Sequence, residues 1–271
     1  MKVTFWGVRG SIPTPQHANL EIGGETACVE IESEGNRIVL DAGSGIRRLG
    51  HAMLQRLGPS QVECEILLSH FHWDHIQGIP YFAPLYREGL IRFHSHVPVE
   101  TLHANLSLLM AEPFFPSPLD AAAATKNYYQ FTWHSPFDIG PFHIVPFPLR
   151  HPQGCTGLRI ECGGRTVVYA TDYEHGDPAS DAILQQYATE ADVLISDAQY
   201  TPEEYPRFIG WGHTTWLEAA KMAARSNVRQ LALFHHDPLR SDDRLQEIIG
   251  AAREVFSSTD AARERTTITI E

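Results

Sequence analysis

The hydrophobic and polar positions in the first third of the chain predict β-strands separated by turns. Lys2 to Trp6 alternates and ends at Gly7, and Ala27 to Glu32 alternates again after a glycine pair. Arg37 to Leu40 is a short apolar run that Asp41-Ala42-Gly43 closes. Alternation and short apolar runs bounded by turn residues are the usual signals of strands. The chain is therefore expected to begin with a group of strands.

Helical spacing appears first at Ser44 to Leu57, where the apolar residues fall on one face and Gly58-Pro59 ends the pattern. Phe114 to Ala124 is rich in Pro and Ala and is predicted to be irregular. Other helices are predicted over Glu100 to Met110, Trp216 to Arg225 and Asp243 to Phe256. Other strands are predicted over Cys64 to Leu68, Phe142 to Pro148, Leu158 to Cys162, Thr166 to Ala170, Val193 to Ser196, Gln230 to Phe234 and Thr266 to Ile270. With no solenoid repeat and no low-complexity linker, we expect one α/β domain of layered strands and helices over residues 1–271.

Composition narrows the class of protein. The chain has 271 residues and a formal net charge of −12, which argues against tight general binding of nucleic acids. Neither a basic segment followed by an apolar one at the start nor an apolar run of about eighteen residues is found, so we expect a cytoplasmic protein without membrane segments. The widely spaced cysteines are read as reduced thiols: Cys28, Cys64, Cys155 and Cys162.

The run His70-Phe71-His72-Trp73-Asp74-His75 follows a predicted strand and offers four ligand-type side chains within six residues. On a helix, His70 and His72 would point about 200° apart, whereas at a strand end followed by a loop they can converge. Asp74-His75 is expected to begin a short helix, whose N-terminal dipole suits a carboxylate. Imidazoles and carboxylates suit zinc, manganese or iron(II), so this run predicts a metal-binding loop.

Three further candidates stand just past apolar strands: His151, Asp172 and His235. In layered α/β folds such strand ends gather functional loops at one edge of the sheet. A lone histidine at a strand end is more often structural. Together with the loop, however, these residues complete a dinuclear ligand set.

In its order of ligands the chain resembles the metallo-β-lactamase superfamily, in which an HxHxDH loop is followed by a His, an Asp and a final His. The resemblance implies an αββα sandwich, that is, two mixed β-sheets flanked by helices. It implies two divalent metal ions per chain, with Zn²⁺ expected and Mn²⁺ or Fe²⁺ as alternatives. One ion would be held by His70, His72 and His151, the other by Asp74, His75 and His235, with Asp172 bridging.

His236 is the alternative to His235 as the last ligand, and His235 is preferred because it stands directly after the apolar strand. The antibiotic-hydrolysing members of the superfamily use a Cys at the position of Asp172 and a secretion signal. This sequence shows neither, so β-lactam hydrolysis is not expected.

Two downstream motifs resemble the ribonuclease Z-like phosphodiesterase branch. They are Gly212-His213-Thr214-Thr215, which precedes a helix, and Asp197-Ala198-Gln199-Tyr200, which follows a strand. Phosphodiester cleavage needs a proton for the departing alkoxide, and a histidine oriented by a carboxylate suits that task. His213 is therefore the expected general acid and Asp197 its partner. The alternatives are a cap neighbour at a helix start for His213 and a turn-forming role for Asp197.

The mechanism expected from this set is hydrolysis by a hydroxide that the two ions share, with Asp74 part of the catalytic group and His213 protonating the leaving oxygen. Charge stabilisation by the ions would be the largest contribution. A thioesterase-type reaction fits less well, because it leaves the Gly212-His213-Thr214 motif unexplained.

The substrate is expected to be a small phosphodiester. Ribonuclease Z-type enzymes bind tRNA through an inserted basic arm, and the expected insertion zone, His94 to His134, has one lysine, Lys126, and no arginine. The zone carries aromatic residues that either stack on a base or belong to the core or a dimer interface. They are Phe114, Phe115, Tyr128, Tyr129, Phe131 and Trp133.

Three glycine-rich stretches resemble a bacterial subgroup related to cyclic-nucleotide phosphodiesterases and PhnP-like hydrolases: Phe5 to Pro13, Gly23 to Thr26 and Asp41 to Gly45. They are expected to be scaffold turns; Arg9 and Ser11 could contact phosphate, but a turn role is favoured. The resemblance also implies a homodimer. The leading hypothesis is a 3',5'-cyclic nucleotide phosphodiesterase without a stable nucleic-acid partner. The alternatives are a ribonuclease Z-like RNA 3'-processing nuclease and a non-catalytic, metal-loaded nucleotide-binding protein.

Overall fold

The first of two β-sheets is built mainly from the N-terminal half of the chain. The computed structural model describes residues 1–58 and 60–271. The strands of this sheet are β1 (Lys2–Gly7), β2 (Cys28–Ser33), β3 (Asn36–Leu40), β4 (Val62–Leu67), β5 (Gly89–Ser95), β6 (Thr125–Gln130) and β14 (Thr267–Thr269). Their order is β14-β1-β2-β3-β4-β5-β6, antiparallel as far as β3 and parallel from β3 to β6.

The second sheet contains the remaining strands. They are β7 (Phe137–Ile139), β8 (Phe142–Leu149), β9 (Cys155–Cys162), β10 (Arg165–Ala170), β11 (Val193–Asp197), β12 (Gln230–Phe234) and β13 (Thr259–Ala261). The order β13-β12-β11-β10-β9-β8-β7 is parallel from β10 to β13 and antiparallel elsewhere. Because parallel strands end at the same edge, the loops after β4, β10, β11 and β12 can meet.

Helices cover both outer faces. They are α1 (Ile46–Leu57), α2 (Trp73–Ile76), α3 (Val99–Leu108), α4 (Pro178–Ala188), α5 (Trp216–Arg225) and α6 (Asp242–Val255). One apolar cluster includes Phe5 and Phe147 between the sheets and continues through the second sheet to α4, α5 and α6. A separate cluster joins the outer face of the first sheet to α1 and α3. The predicted αββα sandwich is therefore confirmed.

The alternation of β1 shows how the sequence builds these layers. Val3 and Phe5 are buried, whereas Lys2 is exposed and Thr4 is only partly covered. Successive strand side chains point to opposite faces, so one apolar set enters the core and the other residues face outward.

Most predicted elements are present with boundaries shifted by one to three residues, but β5, β6, β7, β13 and α4 were not predicted. The polar sequence of β6 at the sheet edge and the Arg92 and His94 side chains of β5 obscure the strand pattern. The zone His94 to His134, expected to be an insertion, is built into the first sheet because β6 pairs with β5 in parallel. Within the described residues, every helix is too short or too polar to cross a lipid bilayer.

Candidate metal centre and proton donor

The seven predicted metal ligands lie together where the loops after β4, β8, β10 and β12 meet. The loop after β4 provides His70, His72, Asp74 and His75, and the other loops provide His151, Asp172 and His235. All of them except His72 and His151, which are partly exposed, are buried. The structure thus gathers residues separated by up to 165 positions into one cluster.

The first subgroup contains His70, His72, His151 and Asp172, whose potential ligand atoms lie within 4.8 Å of one another. Nδ1 of His72 is 3.0 Å from Nε2 of His151. Oδ1 of Asp172 is 3.7 Å from Nε2 of His151 and 3.8 Å from Nε2 of His70. Three imidazole nitrogens and one carboxylate oxygen therefore converge on a small volume.

The second subgroup contains Asp74, His75 and His235. Nε2 of His235 is 3.0 Å from Oδ2 of Asp74 and 3.3 Å from Nε2 of His75. The other oxygen of Asp172, Oδ2, is 3.1 Å from Nε2 of His75 and 3.4 Å from Nε2 of His235. The two oxygens of Asp172 thus face different subgroups, which is the geometry of a bridging carboxylate.

Each of the five histidines has its outward nitrogen fixed by a hydrogen bond. Partners of this kind set the tautomer and the ring orientation of metal ligands. The acceptors are the Ser69 hydroxyl for His70, the Gln153 amide for His72, the Asp41 carboxylate for His75, the Gly212 carbonyl for His151 and the Gln199 amide for His235. The inward nitrogens are therefore left with lone pairs.

These inward nitrogens fit a divalent cation. Ligand nitrogens bound at about 2.0–2.1 Å in a tetrahedral site lie about 3.3 Å apart, close to the 3.0 Å and 3.3 Å nitrogen separations of the two subgroups. Nε2 of His70 is buried and has no hydrogen-bond partner among the described residues. A buried polar atom without a partner is costly, and a cation would satisfy it. The cluster is therefore able to hold metal ions.

The pKa shifts of the cluster residues also fit the binding of metal ions. Burial and the neighbouring His75 lower the pKa of His70, and burial also lowers that of His151, so both offer neutral imidazoles. Burial opposes the charge of Asp172, but the surrounding histidines hold its pKa well below the ordinary value. Burial likewise opposes the charged form of His75, yet the nearby carboxylates raise its pKa. A bound cation would take the place of that proton.

His213 and Asp197, the predicted proton donor and its partner, lie beside the cluster. Nδ1 of His213 donates to Oδ2 of Asp197 over 2.7 Å, and the His213 ring stacks on His235 with ring centroids 4.9 Å apart. Oδ1 of Asp197 also accepts from the backbone N–H of Thr214. Burial alone would lower the pKa of His213, but Asp197 outweighs it and raises the pKa to about 9. Since Asp197 holds Nδ1, the transferable proton of His213 lies on Nε2.

Backbone geometry at the strand ends aims two of these side chains. Asp172 lies two residues after the end of β10 and His235 follows β12 directly, and they adopt positive φ angles of 51° and 57°. Left-handed residues other than glycine are uncommon and tend to occur at functional sites. The reversal turns each chain sharply, so that the side chain enters the cluster instead of continuing along the strand.

The sequence left two roles open for His236, Arg9 and Ser11, and the structure shows what each of them contacts. Nε2 of His236 donates to the carbonyl of Ala262, away from the cluster. Arg9 is fully buried and donates to the carbonyls of Gly23 and Arg240. The backbone N–H of Ser11 donates to Oδ2 of Asp74. His235 is thus the one that reaches the ligand cluster, and the Arg9 and Ser11 segment is a scaffold turn that also orients Asp74.

Sequence reasoning missed several outer residues. Gln153 and Gln199 lie two residues beyond predicted site residues and gave no chemical signal of their own. Asp41, which was assigned only to a turn, accepts from His75, Ser69 and Tyr169. Glu174 was not considered, and it binds the loop that precedes His213.

A cavity of about 260 Å³ opens beside the cluster and is lined in part by His70, His72, His96 and Gln153. Two larger cavities, of 380 and 540 Å³, lie against β3 to β6 and contain none of the predicted ligands. The charges there pair with one another, as Glu65 does with Arg92 and His94. The smaller cavity is thus the one that reaches the cluster, through His70 and His72.

The aromatic residues of the zone His94 to His134 divide between core and surface. Phe131 belongs to the inter-sheet core, and Phe115 and Tyr128 pack against the helix-side core. Phe114 is 82% exposed. Trp133 stacks on His96, a residue of the site cavity, with ring centroids 5.1 Å apart.

Known proteins are similar to this chain in sequence and in fold. The chain matches the beta-lactamase superfamily domain over residues 36–236. It is 27% identical to a ribonuclease Z of Bradyrhizobium diazoefficiens, over 97% of each chain. It is also 27% identical to the probable metallo-hydrolase YhfI of Bacillus subtilis, over 89% of this chain and 92% of the relative.

Solved structures agree on the fold. The crystal structure of YhfI superposes with a TM-score of 0.74 at 23% identity and covers 98% of both chains. A diphosphatase from the PhnP family superposes with a TM-score of 0.71 at 17% identity, covering 100% of this chain and 98% of the other. The family match spans the ligands from His70 to His235, and the sandwich places them in one cluster. The chain therefore belongs to the metallo-β-lactamase superfamily.

Proposed function

We propose that this protein is a dinuclear-metal phosphodiesterase. The observation that carries the proposal is the position of Asp172, whose two oxygens face two separate ligand subgroups while His213 and Asp197 stand beside them. A pair of cations would account for the first feature. A reaction whose leaving group needs a proton would account for the second.

His70, His72 and His151 would hold one ion, Asp74, His75 and His235 the other, and Asp172 would bridge them. When bound, two divalent cations lower the pKa of a water molecule and neutralise charge on a phosphoryl oxygen. We propose zinc, because imidazole and carboxylate donors at tetrahedral spacing suit it, with manganese or iron(II) as alternatives.

The protein's own residues complete the reaction. A water molecule that has released one proton to solvent forms a new bond from its oxygen to phosphorus, and the bond from phosphorus to the leaving oxygen breaks. His213 gives its Nε2 proton to that leaving oxygen, while Asp197 holds Nδ1 and stabilises the charged ring beforehand. Nearby cations would lower the pKa of His213 below the value set by Asp197 alone, which favours release of the proton.

The proposed substrate is a small phosphodiester, with a 3',5'-cyclic nucleotide as the leading candidate. The cavity beside the cluster measures about 260 Å³, near the lower end for small-molecule sites. The net charge of −12 disfavours a long polyanion. The alignment with the ribonuclease Z relative spans 319 positions against 271 residues here, so that relative has insertions which this chain lacks.

A second candidate is RNA 3'-processing of the ribonuclease Z type. It is favoured by the names of the relatives, which include ribonuclease Z of Bradyrhizobium diazoefficiens and ribonuclease BN of Cronobacter sakazakii. A diphosphatase from the PhnP family has the same fold. A non-catalytic nucleotide-binding protein is the third candidate. We further propose a cytoplasmic homodimer without a stable nucleic-acid partner.

The test is a turnover screen on protein whose metal content has been measured. The panel contains cyclic nucleotides, bis(p-nitrophenyl) phosphate, linear dinucleotides and a precursor tRNA. Hydrolysis of the small diesters is expected. Activity on the precursor tRNA alone would replace this proposal with the second candidate, and bound metal without any hydrolysis would favour the third.

The general acid has its own test. His213→Ala is expected to lower kcat on a diester with an alkoxide leaving group by about 10²- to 10⁴-fold, with metal content unchanged. His143→Ala, at an exposed histidine on β8, is the control and should retain full activity. Turnover of His213→Ala close to that of the wild type would instead show that His213 is not the general acid of this reaction.

A further inference from the structure

Glu174 is a buried carboxylate two residues beyond Asp172, and its side chain binds the loop that leads to His213. Its Oε1 accepts from the backbone N–H of Gly210 over 2.7 Å and from the Tyr205 hydroxyl over 3.1 Å. Its Oε2 accepts from the backbone N–H of Gly212 over 2.8 Å. The residue is 2% exposed, so these bonds stand in for lost contacts with water.

Gly212 connects this carboxylate to both halves of the site. Its carbonyl accepts from Nδ1 of His151 over 2.8 Å, and the next residue is the proton donor His213. Its φ is +87°, and a Cβ there would lie 2.1 Å from Nδ1 of His151. The peptide next to His213 is thus held by Glu174 on one side and packed against His151 on the other.

His175, the residue after Glu174, contacts the chain on the other side of His213. Nδ1 of His175 is 2.8 Å from Oγ1 of Thr214, and the His175 ring packs against Tyr205 at a tilt of 37°, with centroids 4.3 Å apart. Glu174 and His175 therefore contact the two neighbours of His213 in the chain. Much of the intervening loop is exposed, including Ile209 and Trp211 at 62% and 61%, so it gains little order from core packing.

We propose that Glu174 is a positioning residue, which holds the loop from Tyr205 to Gly212 and thereby fixes His213 at the distance needed to protonate the leaving oxygen. This inference rests on the proposed phosphodiesterase function. A misplacement of about 1 Å can cost about 100-fold in rate, and a loop released from its carboxylate would allow such a shift.

The first experiment compares two leaving groups in Glu174→Gln. The amide has the size of the carboxylate, but its NH₂ cannot accept from the backbone N–H of Gly210 or Gly212, whichever it faces. A cyclic nucleotide or dinucleotide releases a ribose alkoxide, which needs a proton, whereas bis(p-nitrophenyl) phosphate releases a stable phenolate, which does not. We expect kcat to fall about 10- to 100-fold on the alkoxide substrate and by less than about threefold on the phenolate substrate.

Glu30→Gln is the matched control, because Glu30 is a buried glutamate on β2 that accepts from Trp6 and Arg56, away from the site. It should not change the ratio of the two rates. Glu174→Asp keeps the charge but shortens the reach, and it should lose rate selectively on the alkoxide substrate if Glu174→Gln fails to fold. An equal loss on both substrates, or a loss that follows metal content, would overturn the inference. A wild-type enzyme that cleaves neither diester would instead overturn the proposed function.

Hydrogen exchange gives a readout that is independent of turnover. In Glu174→Gln the amides of residues 205–213 should exchange at least about tenfold faster, because either Gly210 or Gly212 loses its acceptor, whereas those of β11 should be unchanged. Glu30→Gln should leave the 205–213 segment protected. Unchanged protection of this segment in Glu174→Gln would show that Glu174 does not hold the loop.

Discussion

His235 and His236 are neighbours in the chain with opposite surroundings. Nε2 of His235 faces Asp74 and Asp172. His236 packs near Arg9 and donates to the backbone, and burial together with that guanidinium lowers its pKa to about 3. The first is built to share its lone pair with a cation, and the second to remain a neutral donor.

Substitution of each histidine by glutamine should separate the two roles. His235→Gln is expected to weaken binding of one metal ion by more than about 100-fold, beyond the usual loss for an outer partner. His236→Gln keeps a donor for Ala262 and should retain the metal content of the wild type. Elemental analysis after dialysis against limiting zinc measures both. The opposite pattern would assign the last ligand to His236.

Glu204 provides a pH test away from the metal cluster. Hydrogen bonds from Arg240 lower the pKa of Glu204 to about 2, from about 4.3 in an unfolded chain. A carboxylate with a depressed folded pKa stabilises the protein above its unfolded pKa, and this contribution is lost as pH falls toward 2. Glu204 is 39% exposed on its side chain, so we expect Glu204→Gln to cost less than about 1 kcal/mol at pH 6.

Chemical unfolding between pH 6 and pH 3 measures this difference. The difference in the free energy of unfolding between the wild type and Glu204→Gln should become smaller as pH falls. Glu190→Gln, at an exposed glutamate after α4, is the control and should show no such narrowing. A gap that stays constant over this range would mean that the ion pair with Arg240 does not stabilise the folded state.

At the scale of elements, the loop between β11 and α5 brings the proposed proton donor, His213, close to a proposed metal ligand, His151. Gly212 and Gly210 both have positive φ, of 87° and 89°, and both donate to Glu174. They differ in space, because a Cβ at Gly212 would meet His151 at 2.1 Å, whereas one at Gly210 would meet nothing within 4 Å. Alanine substitutions at the two glycines can therefore separate the cost of backbone strain from the cost of a collision with His151.

Gly210→Ala should cost only the strain of the left-handed backbone, about 1–2 kcal/mol, and should retain most of the activity. Gly212→Ala adds a collision with His151 and should lower kcat by about 100-fold or more. Thermal unfolding and steady-state kinetics on both variants measure the two effects. Equal activities in the two alanine variants would contradict the close packing of Gly212 on His151.

At the scale of the whole molecule, the cluster joins loops from both sheets, so a bound cation should act as a cross-link. A ligand that binds only the folded state at 100 times its Kd adds about 2.7 kcal/mol of stability, or roughly 5 °C in Tm for a chain of this size. Chelation should therefore lower Tm, and zinc should restore it. His235→Gln should show a smaller response to zinc. A Tm that changes neither with the chelator nor with zinc would argue against the metal centre.

The α/β class and the outline of the sandwich could be read from the sequence, because alternation and helical spacing are local patterns that survive in any context. The strand β6 and the helix α4 were missed because their local patterns are weak. The strand β6 is polar because it lies at the sheet edge, and the helix α4 has only Leu184 and Ala188 buried. Its start signals, Asp177 before Pro178, are present in the sequence and were overlooked.

The sequence by itself determined the chemistry: an HxHxDH loop, three strand-end ligands and a histidine with a carboxylate, because ligand types and their place after strands are local facts. Only the tertiary structure decided which atoms face which. In the folded chain the two oxygens of Asp172 face different ligand subgroups. His235 faces the cluster, whereas His236 faces the carbonyl of Ala262. The tertiary structure also brought Glu174 to the loop of His213, 39 residues away in the chain, by a contact that no local pattern encodes. Such contacts depend on how the parallel strand ends meet, and that is settled only when the two sheets pack.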